Sequence, residues 1–348
     1  MLRGFLASAV LAMTASISYA QQACNGYSEL CNKSYGELTY VVTHNSYAFM
    51  ANAASNQQCP PTTQLDDGVR GLKLSAVKPT NTSGSSDKIH LCHTSCNILD
   101  AGPAQDTLAN ITSWLKSNPN EVITIMWNIP NQDFQAADFE SMYQESGLLD
   151  LSYTQADGNM TWPTLQEMIN SGKRVVNFVD VNSDQGSVPW LMGEFNYVFE
   201  TPYDNNNESS FSCTIDRPSD PPNPSSMLYV MNHFLYGTIN LGSTPIQIPQ
   251  EGSAGTTNSE DSLMKEAKEC SQTFGRAPNF LEVDFYNKGQ TLQIAAELNN
   301  VTYNSKELAC DKNASSSSSG GSDSAASRSA LYMPLSTLCL VALGMLLI

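Results

Sequence analysis

Positive charge is scarce in this 348-residue chain: 17 Lys and Arg stand against 34 Asp and Glu, a formal net charge of −17. Phosphate backbones are held by clustered Lys and Arg, so nucleic acid is excluded as a partner. Peripheral docking on anionic lipid heads is disfavoured for the same reason. Charge of either sign makes up only 15% of residues, while 41% are hydrophobic. Apolar runs recur throughout, which excludes disorder over most of the length. Residues 21–310 contain no internal repeat, no clean linker and no composition break. Collagen, coiled coil and multi-span membrane protein are thereby excluded, and the length suffices for a large buried core.

The two ends read as addresses. Arg3, the apolar stretch 5–13 and Ser18-Tyr19-Ala20 describe a secretory signal peptide over residues 1–20, too short for a membrane span. At the other end a Ser run (315–319), Gly320-Gly321-Ser322, a polar spacer to Ser329 and an apolar tail (330–348) match a GPI-anchor signal. The expected attachment point lies near 319–322. A single membrane span is the competing reading, weakened by Pro334 and by the missing cytoplasmic Lys and Arg. The expected organisation is therefore a leader (1–20), a folded domain (21–310), a Ser-rich stalk with the attachment region (311–329) and a removed tail (330–348). The mature protein would be extracellular, tethered to the plasma membrane by lipid.

The cysteines agree with that compartment. Of nine, Cys339 falls in the tail, leaving Cys24, Cys31, Cys59, Cys92, Cys96, Cys213, Cys270 and Cys310. An even set in a secreted chain means disulfides, whose pairing the sequence leaves open. Zinc is the alternative, but Cys92-x3-Cys96 has no second pair to complete a tetrahedral site. Sequons at Asn32, Asn81, Asn110, Asn159, Asn207, Asn300 and Asn313 suit a glycoprotein.

Short β-branched runs stand out at 38–43, 69–74, 89–91, 121–127, 174–180, 197–200 and 280–285. Several are fully apolar, as strands buried on both faces are. Helical patterns lie between some of them, at 106–117, 134–143, 164–169, 259–270 and 291–298. This alternation predicts an α/β fold, a single irregular TIM-type (β/α) barrel. Residues 201–224, rich in Asn, Pro and Ser, predict a long surface loop.

In such a barrel, chemistry sits where strands end. The first predicted strand runs into Thr43-His44-Asn45-Ser46-Tyr47 and the third into Leu91-Cys92-His93-Thr94. Two histidines on one rim suit phosphodiester cleavage by internal attack: one takes a proton from the attacking hydroxyl, the other gives one to the leaving oxygen. His90-x-x-His93 offers no metal pair, because residues three apart on a strand face opposite sides. His233 either lines the pocket or caps a strand.

Thr43-His44-Asn45-Ser46-Tyr47, Gln64-Leu65-Asp66-Asp67-Gly68-Val69-Arg70-Gly71 and Leu91-Cys92-His93-Thr94-Ser95-Cys96 occur in an order that resembles the phosphatidylinositol-specific phospholipase C X-domain superfamily, in particular its fungal secreted branch. Asn118-Pro119-Asn120-Glu121, Trp162-Pro163-Thr164-Leu165 and Val283-Asp284-Phe285-Tyr286 continue the match, which covers about residues 37–298. The resemblance implies a distorted barrel that cleaves phosphodiesters, with His44 as general base, His93 as general acid, and Asp284 orienting the first histidine. Asn45 matches a polar residue beside the phosphate, a metal ligand in calcium-using relatives.

The second strand departs from that pattern. Where the metal-independent branch carries an acid and a phosphate-neutralising arginine, and the calcium branch two acids, this chain has Lys73 and Ser75. Calcium is disfavoured, no cofactor is expected, and Lys73 is the candidate phosphate cation. Arg70 is a second basic candidate for the phosphate, though its position suits an anchor to Asp66 or Asp67 better; Glu121, at a strand start, reads as structural. The expected function is a secreted, GPI-anchored, monomeric phosphodiesterase acting on a phospholipid or inositol phosphodiester. The rival reading is a catalytically inactive barrel retained as a cell-surface or wall-binding protein.

Overall fold

Twelve strands and their helices account for most of residues 23–79, 89–241 and 244–312, which the computed structural model describes. The expected leader, the Ser run, the apolar tail and the sequons at Asn81 and Asn313 lie outside the described residues. Residues through Asp311 form one unit; the second, Lys312–Ile348, is described only at Lys312.

Eight strands build one parallel sheet: β1 (Tyr40–Thr43), β2 (Gly71–Val77), β5 (Ile123–Asn128), β6 (Val175–Val179), β7 (Leu191–Gly193), β8 (Val198–Glu200), β9 (Leu228–Asn232) and β12 (Phe280–Val283). Their order is β7-β6-β5-β2-β1-β12-β9-β8, and the sheet curls into a half-barrel whose free edges are β7 and β8. Helices such as Ala104–Ser117, with Leu108, Ile111 and Leu115 buried at helical spacing, cover its outside. The expected α/β barrel is the fold observed, left open at one seam. β3 (His90–Cys92) departs from expectation: it is no stave, but pairs antiparallel with β2 and with β4 (Asp100–Pro103). β10 (Tyr236–Leu241) and β11 (Thr244–Pro249) form a separate hairpin. The predicted loop at 201–224 is irregular apart from one short 3-10 turn, Glu208–Ser210.

Alternation along the staves explains their continuous apolar character. Val41, Leu72, Leu74, Ile125, Trp127 and Leu281 pack in a cluster shared with the outer helices. Their neighbours Tyr40, Val42, Met126, Phe178, Val230 and Phe280 fill the barrel's lower interior. Gly71 lies opposite Val42 in the ladder, and a Cβ there would come within 2.4 Å of the valine's Cγ2, so only glycine fits. Further up, the same inward positions turn polar: Lys73, Ser75, Glu200, Asn232, Glu282 and Asp284, all buried.

The eight retained cysteines pair as Cys24–Cys31, Cys59–Cys310, Cys92–Cys96 and Cys213–Cys270. The zinc alternative at Cys92-x3-Cys96 is thus replaced by a disulfide.

Candidate active site

β1 and β12 are adjacent and parallel, with Thr43 opposite Val283, so the residues that follow them meet at the rim. His44 Nδ1 donates to Asp284 Oδ1 at 3.0 Å, and Asn56 Nδ2 donates to the same oxygen at 2.9 Å. A carboxylate accepts, so the proton sits on Nδ1 and the Nε2 lone pair is left as the acceptor, here of the Asn45 amide at 3.1 Å. Gln57 clamps both strand ends, donating its amide to the carbonyls of His44 (2.9 Å) and Val283 (3.1 Å). Asn45 and Phe285 follow the two strands with φ of 45° and 48°, tight turns that aim the preceding side chains across the rim. Phe234 stacks on the His44 ring.

His93 arrives by another route. β3 runs antiparallel to the end of β2, with Val77 opposite His90 and Ala76 opposite Leu91, and so brings the chain back toward Ser75. Tyr47 ties the two histidine loops together, its hydroxyl contacting Cys92 O (2.8 Å) and Asn45 Oδ1 (3.2 Å). His93 is buried, and this desolvation, reinforced by the nearby His44, lowers its pKa to about 4. The Tyr47 bridge between Asn45 and Cys92 sets the two histidine loops side by side. His44, His93, Asp284 and Asn45 are thus brought together.

Lys73 lies inside the barrel, one inward step below Ser75. Its Nζ reaches Glu194 Oε1 (3.3 Å) and Glu200 Oε1 (3.1 Å), and Glu200 also pairs with Arg217. Burial works against its charge, but Glu194 and Glu200 outweigh that and hold the ammonium protonated. Lys73 is therefore no free cation. Burial raises the Glu194 carboxyl strongly and raises Glu282, whose Oε2 has no hydrogen-bond partner.

Arg70 belongs elsewhere. It precedes β2, at the opposite ends of the staves, and pairs with Glu121 at 2.7 Å. The expected partners are otherwise engaged: Asp66 accepts the Trp114 indole N–H, and Asp67 accepts the Tyr286 hydroxyl. Arg70 lines a cavity of about 210 Å³ there, with Tyr27, Tyr40, Asn299 and Lys306. His233 is also structural: its Nδ1 meets Glu266, and its Nε2 faces Thr257 O at 2.8 Å.

A calcium ion in the manner of the calcium-using relatives does not fit this donor set. Asn45 Oδ1 already accepts hydroxyls from Tyr47 and Ser75 (3.1 Å), and the position of an acid is held by the Lys73 ammonium. The two described clusters of metal-ligand type, His90–Cys92–Asp100 and Cys213–Glu266–Cys270, both rest on disulfide sulfurs.

Asn56, Gln57, Phe234, Glu194 and Glu200 were not singled out from sequence. Asn56-Gln57 offered a faint signal, two amides in the acid-free stretch after His44. The others are carried by elements far along the chain and gave none.

Comparison with known proteins identifies the family and the fold. The sequence profile of the family described as PI-PLC X 1 matches residues 30–299. A protein of Arthroderma benhamiae described as a PI-PLC X domain-containing protein 1 is 34% identical over 307 residues, covering 86% of this chain and 96% of its own. Another from the same fungus, described as an uncharacterized secreted protein, is 38% identical over 297 residues, or 81% of this chain and 65% of that relative's length. Among solved structures, the phosphatidylinositol-specific phospholipase C of Listeria monocytogenes shares the fold, with a TM-score of 0.51 at 14% identity, covering 78% of this chain and 96% of its own. With its half-barrel, its paired rim histidines and a profile match across most of its length, the chain belongs to the PI-PLC X family.

Proposed function

We propose that this protein is a phosphodiesterase that cleaves an inositol phosphodiester or phospholipid by internal attack. The observation that carries the reading is the His44–Asp284 pair, which leaves Nε2 as the acceptor, on a loop that Tyr47 ties to the loop of His93. A hydroxyl adjacent to the phosphate gives its proton to His44 Nε2 and its oxygen bonds to phosphorus. The bond from phosphorus to the leaving alcohol breaks, and His93 supplies that alcohol's proton. The products are a cyclic phosphodiester and the alcohol, diacylglycerol where the substrate is a phosphoinositide. Asp284 keeps the proton on Nδ1 and stabilises the imidazolium that forms. The bound phosphodiester's negative charge raises His93 from its depressed value, so that the ring carries a proton when substrate is present. Asn45 and Ser75, joined by a hydrogen bond, line the phosphate side.

Secretion, glycosylation at the sequons and attachment through a GPI lipid complete the proposal. Support comes from the residue pattern of the two ends and from the relative described as secreted. The rival, an inactive surface-binding barrel, draws on one observation: the Lys73 charge is already matched by two glutamates. Turnover of a phosphoinositide or of a fluorogenic inositol phosphodiester by purified protein decides between them. The proposal expects turnover that falls at least about 100-fold in His44→Ala; no turnover in the wild type favours the rival.

A further inference from the structure

Cys92 and Cys96 close a ring of five residues around His93, with Cα atoms 4.9 Å apart. A disulfide over so short a separation constrains the unfolded chain least, whereas Cys59–Cys310 spans 251 residues and Cys213–Cys270 spans 57. The short ring acts chiefly on the shape of its own loop. That shape is unusual. Thr94, next to His93, has φ of 60°, left-handed backbone that a β-branched residue adopts only when its surroundings impose it. The bonds beside the ring are short-range: Ser95 N donates to His93 O at 2.6 Å across Thr94, Ile98 N to Ser95 O at 2.9 Å, His93 N to Leu99 O at 3.1 Å, and Thr94 Oγ1 lies 3.3 Å from His93 Nδ1. The buried end, Cys92, is fixed by the Tyr47 hydroxyl on its carbonyl, while Cys96 is half-buried and Thr94 exposed.

We propose that the Cys92–Cys96 disulfide is a positioning device for His93: it imposes the left-handed turn at Thr94 and thereby holds the imidazole inward, opposite His44. The inference rests on the reading of His93 as proton donor to the leaving group. Breaking the ring lets Thr94 relax to ordinary backbone and swings His93 toward solvent. Proton donation suffers, while the His44 side of the site stays intact.

The test uses the full-length protein and its C92A/C96A variant, with C96S as a second variant that keeps Cys92 as a small buried apolar group. Two inositol phosphodiesters are compared, one with an alkyl leaving group that needs a proton and one with an aryl group that leaves without it. The expected result is a kcat loss of about 100-fold or more on the alkyl ester and only about threefold on the aryl ester, at unchanged KM. Equal losses on both esters, or none, overturn the proposal, because a merely structural bond has no preference between leaving groups. An NMR titration of His93 runs beside it. The wild-type ring is expected to titrate near 4 and the variant ring to move toward the ordinary 6.5; an unmoved titration overturns the proposal without reference to turnover. A wild type inert on both esters, whose His93 titration still moves in the variant, keeps the positioning role and removes the enzymatic reading.

Discussion

Phe234 lies face to face with His44, ring centroids 4.1 Å apart and planes 11° apart. The segment carrying it is anchored one residue earlier, where the buried His233 is pinned between Glu266 and Thr257 O. The aromatic face stops the imidazole from rotating away from Asp284 and keeps water off one side. Phe234→Ala should lower the stability of the fold by about 3 kcal/mol, as for other buried Phe truncations, and reduce turnover. Phe234→Leu should restore most of the stability but not the turnover, since it fills volume without a flat face. Urea melts and kcat on the same samples check this; full activity in both variants removes Phe234 from the site.

Asp284 Oδ1 is the acceptor for both His44 Nδ1 and Asn56 Nδ2. In Asp284→Asn the amide can turn its NH2 toward the ring, which favours the tautomer with the proton on Nε2 and blocks the base. Turnover should fall on the order of 10²–10⁴-fold, with a melting temperature close to wild type. A kcat within about threefold of wild type would leave His44 without its orienting carboxylate and sink the assignment of the base.

Lys73 crosses the barrel. It stands on β2, yet its ammonium meets Glu194, directly after β7, and Glu200, at the end of β8, the two strands that flank the open seam. Lys73→Met leaves Glu194 buried without a cation, while Glu200 keeps Arg217. The expected destabilisation is about 1–3 kcal/mol, because burial already holds Glu194 toward its neutral form and the carboxyl loses a hydrogen-bond partner. Adding Glu194→Leu should recover much of it, because the uncompensated carboxyl is then gone. Denaturant melts of the single and double variants give the coupling.

The legible parts of this molecule are those with local causes. Apolar β-branched runs such as Val41-Val42 and Ile123-Thr124-Ile125 mark staves because both faces are buried. His44 and His93 were found because each follows such a run. β7 and β9 were missed: Leu191–Gly193 is too short for a pattern, and Leu228–Asn232 follows a Pro- and Ser-rich stretch that masks it. The run at 89–91 reads as a stave because strand direction is invisible in composition, whereas β3 pairs antiparallel with β2. The Lys73 pairing had no local trace at all, since its partners lie 121 and 127 residues away. From sequence, Arg70 reads as a phosphate candidate or an anchor to the nearby Asp66 or Asp67, whereas the parallel pairing of β2 with β5 brings in Glu121.

His93 makes stability depend on pH in a definite direction. Burial first, and the neighbouring His44 second, lower its pKa from 6.5 to about 4. Between those values the unfolded chain binds a proton that the folded protein refuses, so stability falls as pH drops through the window and is unaffected above it. A shift of that size corresponds to about 3 kcal/mol at full expression. His93→Gln lacks the effect. The stability difference between wild type and variant should therefore be flat above about pH 7 and move by about 3 kcal/mol against the wild type on reaching about pH 4. Urea melts of both proteins across that range measure it, and parallel profiles would mean that His93 is not held neutral by its surroundings. The same depressed value has a kinetic counterpart. In the free enzyme the proton donor is lost above about pH 4, so kcat/KM declines from there, whereas the bound phosphodiester anion raises His93 and moves the decline in kcat to higher pH.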